Sequence, residues 1–340
     1  MLQLIKELCS LNATSGEESV VRDYILNKIP SECDVTVDRN GNVIVFKKGK
    51  NPAKRKISID AHMDEVGIIA TSVTPDGFIK FTTVGGIETE SLVSKRIKFS
   101  NGTVGVIGIK HGHLCDDKEL HSYPSKSGLL IDIGAKSREE AERYVLPGDT
   151  AVYCYDFEAQ GDYIISKALD DRIGCAVLIK LLNEDAEYDF TATFTVGEEI
   201  GLIGAKTVTE TVKPEATIVI EATTAADIGN ADDTESVCKV GGGAVVSFMD
   251  RSTLYDKTLF EAALTVAKEQ GIACQTKNAV AGGNNAGAIH QTAGGVRPLA
   301  ISAPCRYIHS PSSVVSFKDV EAVYSLAKAM LNKLTSGEIW

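Results

Sequence analysis

Four apolar runs constrain this chain more than any other feature: RKISIDAH (55–62), YDFTATFTVG (188–197), ATIVIEATTAAD (216–227) and GGVRPLAISAPCRYI (294–308). Each reads as a strand, and each meets a histidine or carboxylate at or near its C-terminal end: His62, Glu198 with Glu199, Glu221 and His309. Among them stand helix-length segments, RIGCAVLIKLLN, GLIGAKTVTETV and DKTLFEAALTVAKEQG. Such alternation specifies an α/β core. Open sheets of this kind collect their chemistry at strand ends.

The alternation is interrupted. From 70 to 158 the texture changes to short strands and glycine-rich turns (GFIKFTTVGG, SKRIKFSNGTVGVIGIKHG, LLIDIGA, GDTAVYCYD), the pattern of a small β-barrel or sandwich, with one helix at SREEAERYV opened by Ser137. Before it come an amphipathic helix at MLQLIKELCSLNATSG, a second helix over about 18–26 with Ser15 as its cap, and a hairpin turning at Asn40-Gly41. The last helix starts at Ser316 and lines up Val320, Val323, Tyr324, Ala327, Met330, Leu331 and Leu334 on one side. We expect one α/β domain made of 1–69 and 159–340, with 70–158 inserted. Insertions at exposed loops leave both flanks free to line one site.

Composition narrows the function. Forty-six acidic against 35 basic residues give a formal charge of −11, which disfavours nucleic acid and anionic membranes as partners. No stretch reaches the roughly 18 apolar residues of a membrane span, and the N-terminus lacks a signal peptide's apolar stretch and cleavage site, so a cytoplasmic location is expected. The eight cysteines form no CxxC pair, which points away from thiolate zinc sites and disulfide scaffolds.

In AHMDEVG, His62 and Asp64 lie two residues apart in extended backbone and share a face, which suits a metal-binding imidazole steadied by a carboxylate; a capping aspartate at a strand end is the plain alternative. SKALDDRIGC holds Asp170 and Asp171, either of which reads as an N-cap, or one as a carboxylate bridging two cations. Glu221 follows Ile218, Val219 and Ile220, where an unpaired buried glutamate is rare, while Asp227 reads as a turn residue. Glu198 and Glu199 repel one another unless a metal, a proton or solvent compensates. Successive side chains diverge, so one can enter a metal shell while its neighbour stays outside as a base. Nitrogen and carboxylate donors without thiolate fit Zn²⁺, Co²⁺ or Mn²⁺, and a two-metal site needs one shared ligand plus separate terminal ones.

Taken in order, AHMDEVG, SKALDDRIGC, TVGEEIGLIGAK, EATTAAD, GGNNAGAIH and CRYIHSP resemble the M42 family of metallo-aminopeptidases, glutamyl or leucyl by name and in places labelled endoglucanases. The resemblance implies a mixed-sheet, zinc-peptidase-like catalytic domain with an inserted small β-barrel. It implies two divalent metal ions per subunit, Zn²⁺ or Co²⁺ with Mn²⁺ as a further option. His62, Asp170 and Glu221 would hold one, Asp170, Glu199 and His309 the other. Glu198 would be the general base, Asp64 would orient His62, and the 170–171 peptide bond would be cis. The substrates would be short peptides with a free N-terminus. The insertion would serve assembly and access in a homo-oligomer, a hollow tetrahedral particle of twelve subunits in the family.

Two departures stand out: Glu221 where many relatives carry aspartate, and Asn284 with Asn285 where threonine and aspartate are common, the latter removing a negative charge near the expected substrate region. A related deacylase or carboxypeptidase would need a cation for a substrate carboxylate, for which Arg172, Arg297 and Arg306 are the nominees. An endoglucanase would dispense with metal, and a non-catalytic assembly protein would bind none. His111 and His113 form an HxH pair that we read as a polar loop, His121 is a candidate for a neighbouring subunit's pocket, and His290 reads as loop packing.

Overall fold

The computed structural model describes residues 1–117, 121–122, 124–229 and 236–340. The expected Asn-Gly turn joins β1 (Asp34–Val37) to β2 (Val43–Lys47), with Gly41 at φ 97°, where a Cβ would be strained. β3 (Ile57–His62) follows and is buried at every position, as a strand covered on both faces must be.

The chain then enters a closed barrel of β4 (Gly67–Val73), β5 (Ile79–Val84), β6 (Arg96–Phe99), β7 (Val104–Gly108), β8 (Leu130–Asp132) and β9 (Thr150–Tyr153), in the order β4-β5-β8-β7-β6-β9. Alternate apolar side chains such as Ile68, Ile79, Ile97, Phe99, Ile107 and Ile131 fill its interior. Closure removes the open edges that a sandwich would leave.

β10 (Glu158–Gln160), β11 (Tyr163–Ser166) and β17 (Ser313–Ser316) make a separate three-stranded sheet. β12 (Phe190–Thr195), β13 (Ala216–Thr224), β14 (Ala244–Val246), β15 (Cys274–Thr276) and β16 (Arg297–Cys305) complete an eight-stranded mixed sheet ordered β1-β2-β12-β3-β13-β16-β14-β15. Its middle strands β12, β3, β13 and β16 run parallel. The mixed α/β class with an inserted barrel is therefore the observed one.

Among the described residues the α-helices are α1 (Leu2–Ser10), α2 (Ser19–Leu26), α3 (Arg138–Ala141), α4 (Leu169–Leu182), α5 (Ile203–Val212), α6 (Lys257–Gln270), α7 (Ala286–Ile289) and α8 (Phe317–Thr335). α4 is buried along nearly its whole length and packs on β3 and β13. α8 buries the expected stripe except for half-buried Tyr324, whose hydroxyl donates to Glu184 at 2.6 Å. Ser137 caps α3 by accepting from Glu140 N–H at 3.3 Å, and Ser316 occupies the N-cap of α8 without a side-chain cap bond. Ser15 is not the cap of α2; its hydroxyl is taken by Asp64. No helix among the described residues is long and apolar enough to cross a membrane.

Candidate metal centre

The four parallel strands all end on one side, and the polar residues meet there. His62 closes β3 and pairs in register with Thr195, the last residue of β12; Glu221 sits within β13, and His309 lies four residues beyond β16. Asp170 arrives from another direction, at the start of α4, through a cis Asp170-Asp171 peptide bond.

His62 Nε2 stands 3.1 Å from Glu221 Oε1 and 3.4 Å from Asp170 Oδ1. His309 Nε2 stands 3.1 Å from Glu199 Oε1 and 3.3 Å from Asp170 Oδ2. Asp170 thus offers one oxygen to each histidine. Five donors from five segments form two sets that share one carboxylate.

The ring orientations are fixed from behind. His62 Nδ1 lies 3.1 Å from the Asp64 carbonyl and 3.4 Å from Asp64 Oδ1, while His309 Nδ1 lies 2.8 Å from the Gly86 carbonyl. With Nδ1–H donating, both Nε2 lone pairs point into the cluster. Gly86 belongs to the segment that leaves β5 of the barrel. At its neighbour Gly85, φ 82°, a Cβ would come within 2.8 Å of Val66 Cγ1 and 3.2 Å of Glu199 Cβ.

The paired glutamates owe their position to borrowed acceptors. Past the end of β12 the backbone N–H groups lose their ladder. Val196 N–H donates to Asn42 Oδ1 at 2.9 Å, Gly197 N–H to Glu18 Oε1 at 3.0 Å, Glu198 N–H to Asp64 Oδ1 at 3.1 Å and Glu199 N–H to Asp64 Oδ2 at 3.1 Å. Ser15 Oγ donates to the same Asp64 oxygen at 2.7 Å. Asp64, fully buried, therefore holds both the His62 ring and the Glu198-Glu199 backbone. The sequence suggested only the first of these duties.

Charge is crowded. Asp170, Asp171, Glu198, Glu199 and Glu221 face two imidazoles, and burial raises the cost of every unpaired charge. Burial, reinforced by Glu221, Glu199 and Asp170, holds the Glu198 carboxyl well above the usual carboxylate range. Burial takes Glu221 up to about 8 against the pull of His62. For His309 burial favours the neutral ring, but the Asp170 and Glu199 carboxylates overcome it and take the imidazolium up to about 11. Protons alone are poor compensation here. His62 Nε2, Asp170 Oδ1, Glu199 Oε1 and Glu221 Oε2 are buried and lack a hydrogen-bond partner. Such orphaned donor atoms at ligand spacing fit divalent metal.

Asp171 adds a detail the sequence left open. Its Oδ1 accepts from Gly174 N–H at 2.8 Å as an N-terminal cap of α4, its Oδ2 is buried without a partner, and one of its oxygens lies within 4.8 Å of ligand atoms of His62 and Glu221. The arginine nominees are all committed elsewhere. Arg172 is fully buried and donates to the Leu8 carbonyl at 2.9 Å and to Glu65 at 3.3 Å; Arg297 is paired with Asp256, and Arg306 with Asp227. Asn285 is buried and donates to Asp60 Oδ2 of β3 and Thr195 Oγ1 of β12, both at 2.8 Å, while its neighbour Asn284 lines the cleft. A second carboxylate there would oppose Asp60 directly. His290 packs locally, with Nδ1 2.7 Å from the Ala286 carbonyl, and His111 and His113 stack on each other at 5.8 Å in the barrel loop. His121 Nδ1 lies 2.6 Å from the Asp117 carbonyl in that same exposed loop.

Fold and cluster together define a mixed α/β protein built around a histidine and carboxylate group able to hold divalent metal. The chain belongs to the M42 family: the family model described as M42 glutamyl aminopeptidase matches residues 41–326. A protein of Acetivibrio thermocellus, whose name assigns it provisionally to the aminopeptidases, is 39% identical over 97% of this chain and 98% of its own. The structure of an aminopeptidase from the archaeon Desulfurococcus kamchatkensis aligns with a TM-score of 0.91 at 33% identity, covering 98% of this chain and 95% of that one. The TET1 peptidase of Pyrococcus horikoshii, which can assemble into a tetrahedron or a large octahedral shell, aligns with a TM-score of 0.84 at 31% identity over 97% and 98% of the two chains.

Proposed function

We propose that this chain is a dinuclear metal-dependent aminopeptidase that releases N-terminal amino acids from short peptides. The observation that carries the reading is the sharing of Asp170 between His62 and His309, at 3.4 and 3.3 Å, each histidine having its own glutamate at 3.1 Å. His62, Asp170 and Glu221 would hold one cation, and Asp170, Glu199 and His309 the other, with Zn²⁺, Co²⁺ or Mn²⁺ matching the donor set. Glu221 is long enough for the role that aspartate fills in other members. Bound cations would polarise the scissile carbonyl and lower the pKa of an attacking water toward neutrality.

Glu198 takes the proton of that water and returns it to the leaving amine nitrogen. It lines the cleft and is not needed in either ligand set. Asp64 is a positioning residue that aligns Glu198, Glu199 and His62 through the bonds described above. The acidic rim also favours a free α-amine over a blocked one.

Residues 70–158 form an inserted unit for assembly and access, and 1–69 with 159–340 the catalytic unit. The assembled form in this reading is a homo-oligomer, with a tetrahedral dodecamer as the specific expectation; support comes from the TET1 relative. The test is a panel of aminoacyl p-nitroanilides, N-acyl amino acids and dipeptides, run after chelation and after return of Zn²⁺, Co²⁺ or Mn²⁺. Metal-restored release from the anilides is expected. Hydrolysis confined to N-acyl amino acids, or activity that survives chelation, would refute the reading.

A further inference from the structure

The cleft that opens beside the cluster is lined by Asp170, Glu198, Glu199, Glu221 and His309, and also by Lys277. Lys277 follows the short strand β15 and is 5% exposed. Its ammonium donates to the Ala281 carbonyl, and no carboxylate lies within ion-pair distance among the described residues. An ammonium has three donors, and a buried cation without a counter-charge is costly. The charges that reach it from a distance are those of Asp250 and Glu221, with Cys238 nearby. The same cleft is lined by the small polar residues Ser247, Thr223, Thr224 and Asn284 and by the apolar Ala222, Ala281 and Ile308. A cationic substrate side chain would meet like charge at Lys277.

We propose that Lys277 anchors a carboxylate on the side chain of the substrate's N-terminal residue, so that this chain selects glutamate or aspartate at that position. The inference rests on the aminopeptidase reading and adds the residue that sets its selectivity. The α-amine and the reacting carbonyl would sit at the cluster, and the side-chain carboxylate at Lys277. Glutamine has glutamate's shape without the charge, so the glutamyl to glutaminyl ratio isolates the ammonium's contribution. A site built to bind a polar group rejects an analogue lacking it, and for this single contact we expect ~100-fold or more in kcat/KM.

The test compares Glu-, Asp-, Gln-, Leu- and Lys-p-nitroanilide on the metal-loaded protein and its Lys277→Met and Lys277→Arg variants. A second arm compares Leu-Gly with Leu-Gly-amide, since a carboxylate at the peptide's C-terminus could also reach a lysine. The expected result is a Glu over Gln preference in the natural protein that Lys277→Met removes and Lys277→Arg keeps in part. Equal Glu and Gln turnover in the natural protein overturns the assignment without any variant. So does a preference that survives Lys277→Met, or loss in the dipeptide arm alone. Hydrolysis led by Leu- or Lys-anilide sinks the Lys277 assignment only; no hydrolysis of any anilide sinks the aminopeptidase reading and the assignment together.

Discussion

Asp64→Ala is the substitution whose cost the structure lets one work out most fully. The carboxylate accepts from the Glu198 and Glu199 N–H groups at 3.1 Å each and from the Ser15 hydroxyl at 2.7 Å, at a fully buried position. The hydroxyl can rotate to another acceptor, but the two amides cannot move without unwinding the turn. Each buried donor left unsatisfied costs about 1–3 kcal/mol, so the variant should lose about 2–6 kcal/mol of stability. Asp64→Asn keeps one acceptor and should lose about half of that. Activity should fall further than folding does, because a shift of ~1 Å in a catalytic group costs ~100-fold. Urea unfolding in excess chelator isolates the protein's own stability, and anilide turnover after metal return reads the placement of Glu198. An Asp64→Ala protein within ~1 kcal/mol of the natural stability and within threefold of its kcat would refute the reasoning.

Glu198→Gln should retain metal by elemental analysis while losing ~100-fold or more in kcat, as expected when proton transfer is removed without disturbing ligands; near-normal turnover in the loaded variant would show that another group moves the proton. Glu65→Gln strands Lys167, which donates to Glu65 at 2.7 and 2.9 Å, and Arg172, so a loss of about 3–5 kcal/mol is expected in denaturant unfolding. An unchanged midpoint would contradict it. The Glu over Gln preference should also depend on pH. Burial lowers the Lys277 pKa against the opposing pull of Asp250, Cys238 and Glu221. The cation is present below that lowered pKa, so the preference should hold where Lys277 is charged and the substrate carboxylate ionised, and fade as pH rises through the Lys277 pKa, earlier than an exposed lysine would titrate. A preference constant up to strongly alkaline pH would count against the lysine.

The architecture was readable because strand and helix periods differ and because each core strand ended in a polar residue that burial could not otherwise tolerate. Barrel closure was less readable, since alternation reveals two faces of a sheet but not whether its edges meet. The convergence of His62, Glu199, Glu221 and His309 follows from parallel strand order, and Asp170 joins them from the start of α4; neither is a property that a local motif encodes. Ser15 shows how local rules mislead: beside Glu17 and Glu18 it has the chemistry of a helix cap, yet buried Asp64 needed a donor more than α2 needed an acceptor. Arg172 misled in the same way, since composition cannot distinguish a cation facing substrate from one pinned in the core by Glu65 and the Leu8 carbonyl. Lys277 gave no signal at all, because a lysine in QTKNAVAGG reads as a solvated turn residue, whereas in the fold it is buried and bonded to the Ala281 carbonyl.

Anomalous scattering from crystals grown with Zn²⁺ tests the central claim most directly. Two peaks ~3.5–4 Å apart are expected, one beside His62 and Glu221, the other beside Glu199 and His309, with the Asp170 carboxylate between them. A single peak held by His62, Asp171 and Glu221, with Asp170 ligating nothing, or no peak in the cluster, would contradict it.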